Sequence, residues 1–130
     1  MGESDVEVVR ELFRRFESAG LDSALELISK DAVFEVSGDM SAEPDVYEGH
    51  EGARRYFAGF DGLMEDLRFQ PLEFEETGDV LTVWIRFEGR GVTSGIVVEQ
   101  YVAINVWLVG GKVARMQPYP DMDSARNALR

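Results

Sequence analysis

The sequence predicts an α+β domain, with helices in its first half, long antiparallel strands in its second and a short helix at its C-terminal end. Two patterns carry that expectation. Between Val80 and Tyr119 three segments, VLTVWIRFEG, IVVEQYVAINVWLV and KVARMQPYP, alternate residue types with the period of two that a strand imposes. Ahead of them, apolar residues recur at steps of three and four, as on a helix face. With 130 residues the chain is expected to form one domain over residues 1–130.

Ser4-Asp5-Val6-Glu7 has capping-box spacing, which predicts a helix with Ser4 as N-cap. Val6, Val9, Phe13 and Phe16 form its apolar stripe, and Gly20 is placed to end it. Asp22 opens a short second helix with Leu21, Leu25 and Ile28 facing inward. A strand is expected from Asp31 to Val36. An acidic connection from Ser37 to Glu48 follows, read as a solvated loop or as a lid. Gly49-His50-Glu51-Gly52 begins a third helix whose face is Ala53, Tyr56, Phe57, Phe60 and Met64. So many rings on one helix mean core packing first, and beside a curved sheet they also suit an apolar cavity.

Leu67 to Glu75 reads as a strand with Pro71 at an edge or bulge, since proline cannot donate to a ladder. In the next strand Leu81, Val83, Ile85 and Phe87 alternate with Val80, Thr82, Trp84, Arg86 and Glu88, one apolar face and one mixed. Gly89 to Gly95 is a loose turn. The strand after it carries apolar groups on both sides, as expected of a strand covered on both faces. Val109-Gly110-Gly111-Lys112 is a tight hairpin, and Pro120 to Asp123 leads into the terminal helix.

A net charge of -12 and a pI near 4.4 oppose binding to nucleic acid or to an anionic membrane surface. The absence of cysteine excludes disulfides, thiolate nucleophiles and cysteine metal sites, and with one histidine, His50, a zinc site would be mostly carboxylate. No metal or cofactor is therefore expected. Met1 to Asp5 is acidic and lacks the apolar run of a secretory signal, Val6 does not fit the myristoylation pattern, and no stretch has the length of a membrane span. A cytoplasmic protein is the expectation.

The order of elements resembles the NTF2-like superfamily and, within it, the SnoaL-like group related to polyketide cyclases and ketosteroid isomerases. The resemblance rests on Val8 to Phe13 with Gly20-Leu21-Asp22, Asp31 to Phe34, Tyr47 to Gly52 leading to Arg55-Tyr56-Phe57, Gly89-Arg90-Gly91 with Ser94-Gly95, and Trp107, Gly111-Lys112-Val113 and Tyr119-Pro120-Asp121. It implies a cone-shaped fold, a curved and mostly antiparallel sheet wrapped around the helices, with one apolar pocket and a homodimer through the sheet's outer face. On that basis Trp84, Arg86, Gln100, Val102, Ile104, Val106, Met116 and Pro118 are expected to face the pocket. Phe13, Phe16, Phe34, Val36, Tyr56, Phe57 and Phe60 would close it. Tyr101, Asn105 and Trp107 would face the partner.

Enzymes of this fold use aspartates inside the cone, as bases or as protonated donors. Here the matching positions hold Val36 and Pro118, no aspartate lies between Val80 and Pro120, and Phe13 and Phe16 stand where isomerases have a tyrosine. Glu88 with Arg86 is the surviving catalytic candidate. Arg86 is expected to pair with Glu88 or Glu35, Gln100 to offer an amide, His50 to be a surface residue, and Tyr56 and Tyr119 to finish the core. Two readings follow: a dimeric binder of a small hydrophobic ligand oriented by Trp84, Arg86 and Gln100, or a SnoaL-like isomerase, cyclase or hydrolase using Glu88 or another acid with Arg86. A partner-binding role through the sheet is a third.

Overall fold

Helix α1 (Glu3–Ala19) turns Val9, Leu12, Phe13 and Phe16 into the core, the three-and-four spacing seen in the sequence. The computed structural model describes residues 3–19, 21–36, 45–61 and 64–130, without the side chains of 3, 19 and 58–61. Ser4 lies inside the first turn rather than ahead of it, a shift within the ordinary uncertainty of helix ends. The expected stop at Gly20, the 37–44 part of the acidic connection with its lid role, and the side chain of Phe60 lie outside the described residues.

Helix α2 (Leu21–Ala24) and a 3-10 turn (Leu25–Leu27) lead straight into β1 (Ile28–Val36), which starts earlier than expected. Ile28, expected on a helix face, is extended and buried as the first strand residue. β2 (Asp45–Glu48) was expected to be loop; it pairs antiparallel with β1, Val36 opposite Asp45 and Val33 opposite Glu48. Only Tyr47 of its four residues is buried, so it has no apolar pattern to read. α3 (Gly49–Asp61) follows so closely that a Cβ on Gly52 would lie 2.6 Å from the Tyr47 carbonyl carbon. Only glycine fits there.

Four strands complete the sheet: β3 (Met64–Thr77), β4 (Val80–Gly91), β5 (Val97–Val109) and β6 (Lys112–Tyr119). Gly110 and Gly111, both at positive φ, make the β5–β6 hairpin. The order is β2-β1-β6-β5-β4-β3, with every neighbouring pair antiparallel except β1 and β6. Register shifts in β3, one of them between Pro71 and Glu73 on the free edge, are of the kind that bend a strand and sharpen its twist. Pro118 sits two residues past Met116, the last β6 partner of β1, a position that tolerates a missing N–H.

The open, curved sheet holds α1 and α3 on its concave side, where Leu81, Val83, Ile85, Val106, Val113 and Met116 meet the helices in one core. On the convex side α4 (Met122–Asn127), capped by Asp121 through the Ser124 amide, buries Ala125 against the sheet. Beneath it Thr82 donates to Asn105 Oδ1 at 2.7 Å, and Asn105 Nδ2 donates to the Ala125 carbonyl at 2.9 Å. Asn105 is thus on the outer face, as expected, but its own chain covers it. Arg126 adds a paired contact to both carboxylate oxygens of Glu75, at 2.8 and 2.9 Å. Among the described residues, no helix is long and apolar enough to cross a membrane.

Candidate functional site

Strand register decides which side chains meet inside the cone, because residues directly opposite on neighbouring strands share a face. Val83 is opposite Ile104, Ile85 opposite Val102 and Phe87 opposite Gln100; Ile104 is in turn opposite Pro118, and Val106 opposite Met116. All of these point to the concave side. Together with Phe34 and Val36 of β1, Tyr56 and Phe57 of α3, Phe13 of α1 and Phe69 of β3, the set enclosing the space from Ile85 to Pro118 lines a cavity of about 130 Å³.

Ten residues expected at the pocket therefore line it: Phe13, Phe34, Val36, Tyr56, Phe57, Gln100, Val102, Ile104, Met116 and Pro118. Trp84 and Arg86 do not. They stand opposite Ala103 and Tyr101 on the convex face, and the Trp84 ring stacks on Tyr101 at 5.6 Å. The sequence carried the signal for this correction, since the uniformly apolar set Leu81, Val83, Ile85 and Phe87 belongs on the side that must be dry. Ile85, Phe87 and Phe69 are the lining residues that sequence reasoning missed. Phe16 lies one layer deeper, its ring 4.7 Å from Phe57 and 5.1 Å from Phe69, and Val106 is buried in the core beside it.

The lining is a ring cluster. Phe34 meets Tyr56 and Phe57 edge-on at 6.1 and 6.2 Å; Phe69 bridges Phe13 at 5.5 Å and Phe87 at 5.2 Å. Polar atoms enter through the Gln100 amide and the Tyr56 hydroxyl, and none of the described lining residues carries a carboxylate. Burial, with the neighbouring Tyr47 adding to it, pushes the Tyr56 phenol up to about 12. It stays neutral at physiological pH.

The charged candidates sit elsewhere. Arg86 donates to Glu99 at 3.0 Å and to Glu88 at 3.5 Å, and Tyr101 donates its hydroxyl to Glu99 at 3.1 Å. The Arg86 guanidinium holds Glu99 below the usual carboxylate range. Arg86 thus takes one expected partner, Glu88, and not Glu35, which instead accepts from Arg115 at 2.8 Å and Gln117 at 3.0 Å. Tyr119 donates to Gln117 at 2.9 Å. His50 ties α3 to the start of β1 through the Ile28 carbonyl at 2.7 Å, a structural role. Among the described residues no group of three His, Asp or Glu side chains is placed to hold a metal ion.

A curved open sheet, helices on its concave face and an apolar cavity between them define an NTF2-like domain, and comparison narrows this. The SnoaL-like domain family model matches residues 9–116, and the chain belongs to that family. No curated protein matches the chain at a significant level. Solved structures agree on the fold. An NTF2-like protein of unknown function from Burkholderia pseudomallei is 17% identical, with 96% of each chain covered and a TM-score of 0.78. A putative SnoaL-like polyketide cyclase from a Jannaschia species is 20% identical, covering 97% of this chain and 91% of that one, at 0.76. TerC, crystallised with polyporic acid, is 19% identical, covering 96% and 97%, at 0.79.

Proposed function

We propose that this SnoaL-like protein binds a compact, mostly apolar small molecule in the cone cavity and works as a homodimer through the convex face of its sheet. The observation that carries the binding reading is the lining itself, twelve apolar or aromatic walls with the Gln100 amide at their rim and no carboxylate among the described ones. A space of about 130 Å³ is of the scale that holds one ring rather than a drug-sized ligand. Gln100 supplies direction by donating to a carbonyl. TerC, of the same fold, was crystallised with a small organic molecule, which is consistent with this use of the cone.

The dimer reading rests on the convex face. Beyond the part under α4, it presents Trp84 stacked on a Tyr101 that is 45% exposed, flanked by the Arg86–Glu99 pair. An aromatic pair inside a charged rim is the composition of an interface centre. Family membership favours a second reading, an isomerase, cyclase or hydrolase. Glu88 with Arg86 does not serve it in the cavity, because neither side chain lines it.

Native mass spectrometry after incubation with a panel of neutral phenyl amides and esters tests the binding reading. Wild type is expected to carry one ligand per chain, and Val102→Trp, which fills the cavity, none. Equal adducts on both proteins would place binding elsewhere.

A further inference from the structure

A second hollow lies along the free edge of β3, between α1 and the β3–β4 ladder, and four arginines line it: Arg10, Arg14, Arg68 and Arg86. In a chain of net charge -12 with thirteen basic residues, that concentration is unexpected. Two glutamates share the groove, and both are committed. Glu17 accepts the Phe69 backbone N–H, and Glu88 pairs with Arg86. Arg68 is exposed and has no carboxylate partner among the described residues. Phe13 and Phe69, whose rings are 5.5 Å apart, wall this groove and the apolar cavity alike.

We propose that the ligand is an amphipathic anion, an aryl or alkyl carboxylate whose apolar body fills the cavity and whose carboxylate reaches past the Phe13–Phe69 pair to Arg68 in the groove. This rests on the cavity being a binding site, and it adds the charge of the ligand to that reading. Guanidinium suits the role, since it presents paired donors in the plane that a carboxylate accepts. Elsewhere the acidic surface repels anions, so the groove is also the side from which one approaches.

Isothermal titration of 4-phenylbutyrate and of its neutral analogue 4-phenylbutanamide separates the two claims. The carboxylate is expected to bind about tenfold more tightly than the amide at low ionic strength, an advantage that shrinks in 0.5 M salt. Arg68→Gln, at an exposed side chain with no carboxylate partner among the described residues, is expected to bring the ratio to within about twofold while leaving the amide's affinity unchanged. Arg54→Gln, on α3 away from the groove, removes the same charge and should leave the ratio intact. Equal binding of acid and amide to wild type, or equal loss from Arg54→Gln and Arg68→Gln, overturns the anion proposal and leaves the cavity reading standing. If neither compound binds, both fall.

Discussion

Asn105 is the polar hinge between the sheet and α4, and replacing it with leucine tests how that helix is held. The side chain is fully buried, accepts from Thr82 at 2.7 Å and donates to the Ala125 carbonyl at 2.9 Å. Leucine keeps the branched shape and the heavy-atom count of asparagine, so the main cost is polar. It strands the Thr82 hydroxyl, also fully buried, and takes the amide donor from Ala125; at 1–3 kcal/mol for each buried group left without its partner, the total is about 3 kcal/mol. Thr82→Val alone strands only the Asn105 oxygen and should cost about 1.5 kcal/mol. In the double variant no hydroxyl is left to strand, so the loss should be about 2 kcal/mol, well below the sum of the single losses. Urea unfolding followed by tryptophan fluorescence reads this directly. With a slope of about 1.5 kcal/mol per molar, Asn105→Leu lowers the midpoint by about 2 M and the double variant by distinctly less. A double variant as unstable as the summed singles would show that Thr82 and Asn105 do not act on one another. The cavity lies on the opposite face, so ligand binding by folded Asn105→Leu should be unchanged.

Three further outcomes follow from the geometry. Ile85→Ala, at a fully buried lining position, should lose about 3 kcal/mol and enlarge the cavity, whereas Trp84→Ala, on the convex face, should lose less, mainly its stack on Tyr101; thermal denaturation compares them, and the reverse order would restore the opposite strand parity. Because Tyr56 titrates near 12 folded and near 10 unfolded, the unfolded chain releases its proton first, so stability falls as pH rises from about 10 through 12; Tyr56→Phe should flatten that decline in alkaline unfolding curves. Tyr101→Glu puts a charge in the centre of the proposed interface, and light scattering after size exclusion should give a monomer; a folded dimer would rule out that face.

The sequence showed the fold well and the site by halves, for physical reasons visible in single residues. Long strands of period two and the ring-rich face of α3 are local signals, so β4, β5, β6 and α3 were legible. β2 was not, because its four residues bury only Tyr47 and owe their extended shape to pairing with β1. The cavity's β1, α3, β5 and β6 walls were named correctly from resemblance and alternation. The β4 wall was placed one residue out, which exchanges Ile85 and Phe87 for Trp84 and Arg86; attention to chemistry favoured the polar pair where burial required the apolar one. Phe69 was hidden for another reason. Its inward position depends on the register shifts of β3, which no period in the sequence records. The groove beside it needs α1 and β3 brought together across more than fifty residues.

Methyl NMR of the isotopically labelled protein titrated with 4-phenylbutanamide tests the central claim most directly. The cavity account predicts saturable shifts at the methyls of Ile85, Val102, Ile104 and Met116, which line the space, and none at the exposed methyls of Val97 and Val109. Shifts confined to the exposed methyls, or no saturable shift at the four lining residues, would contradict it.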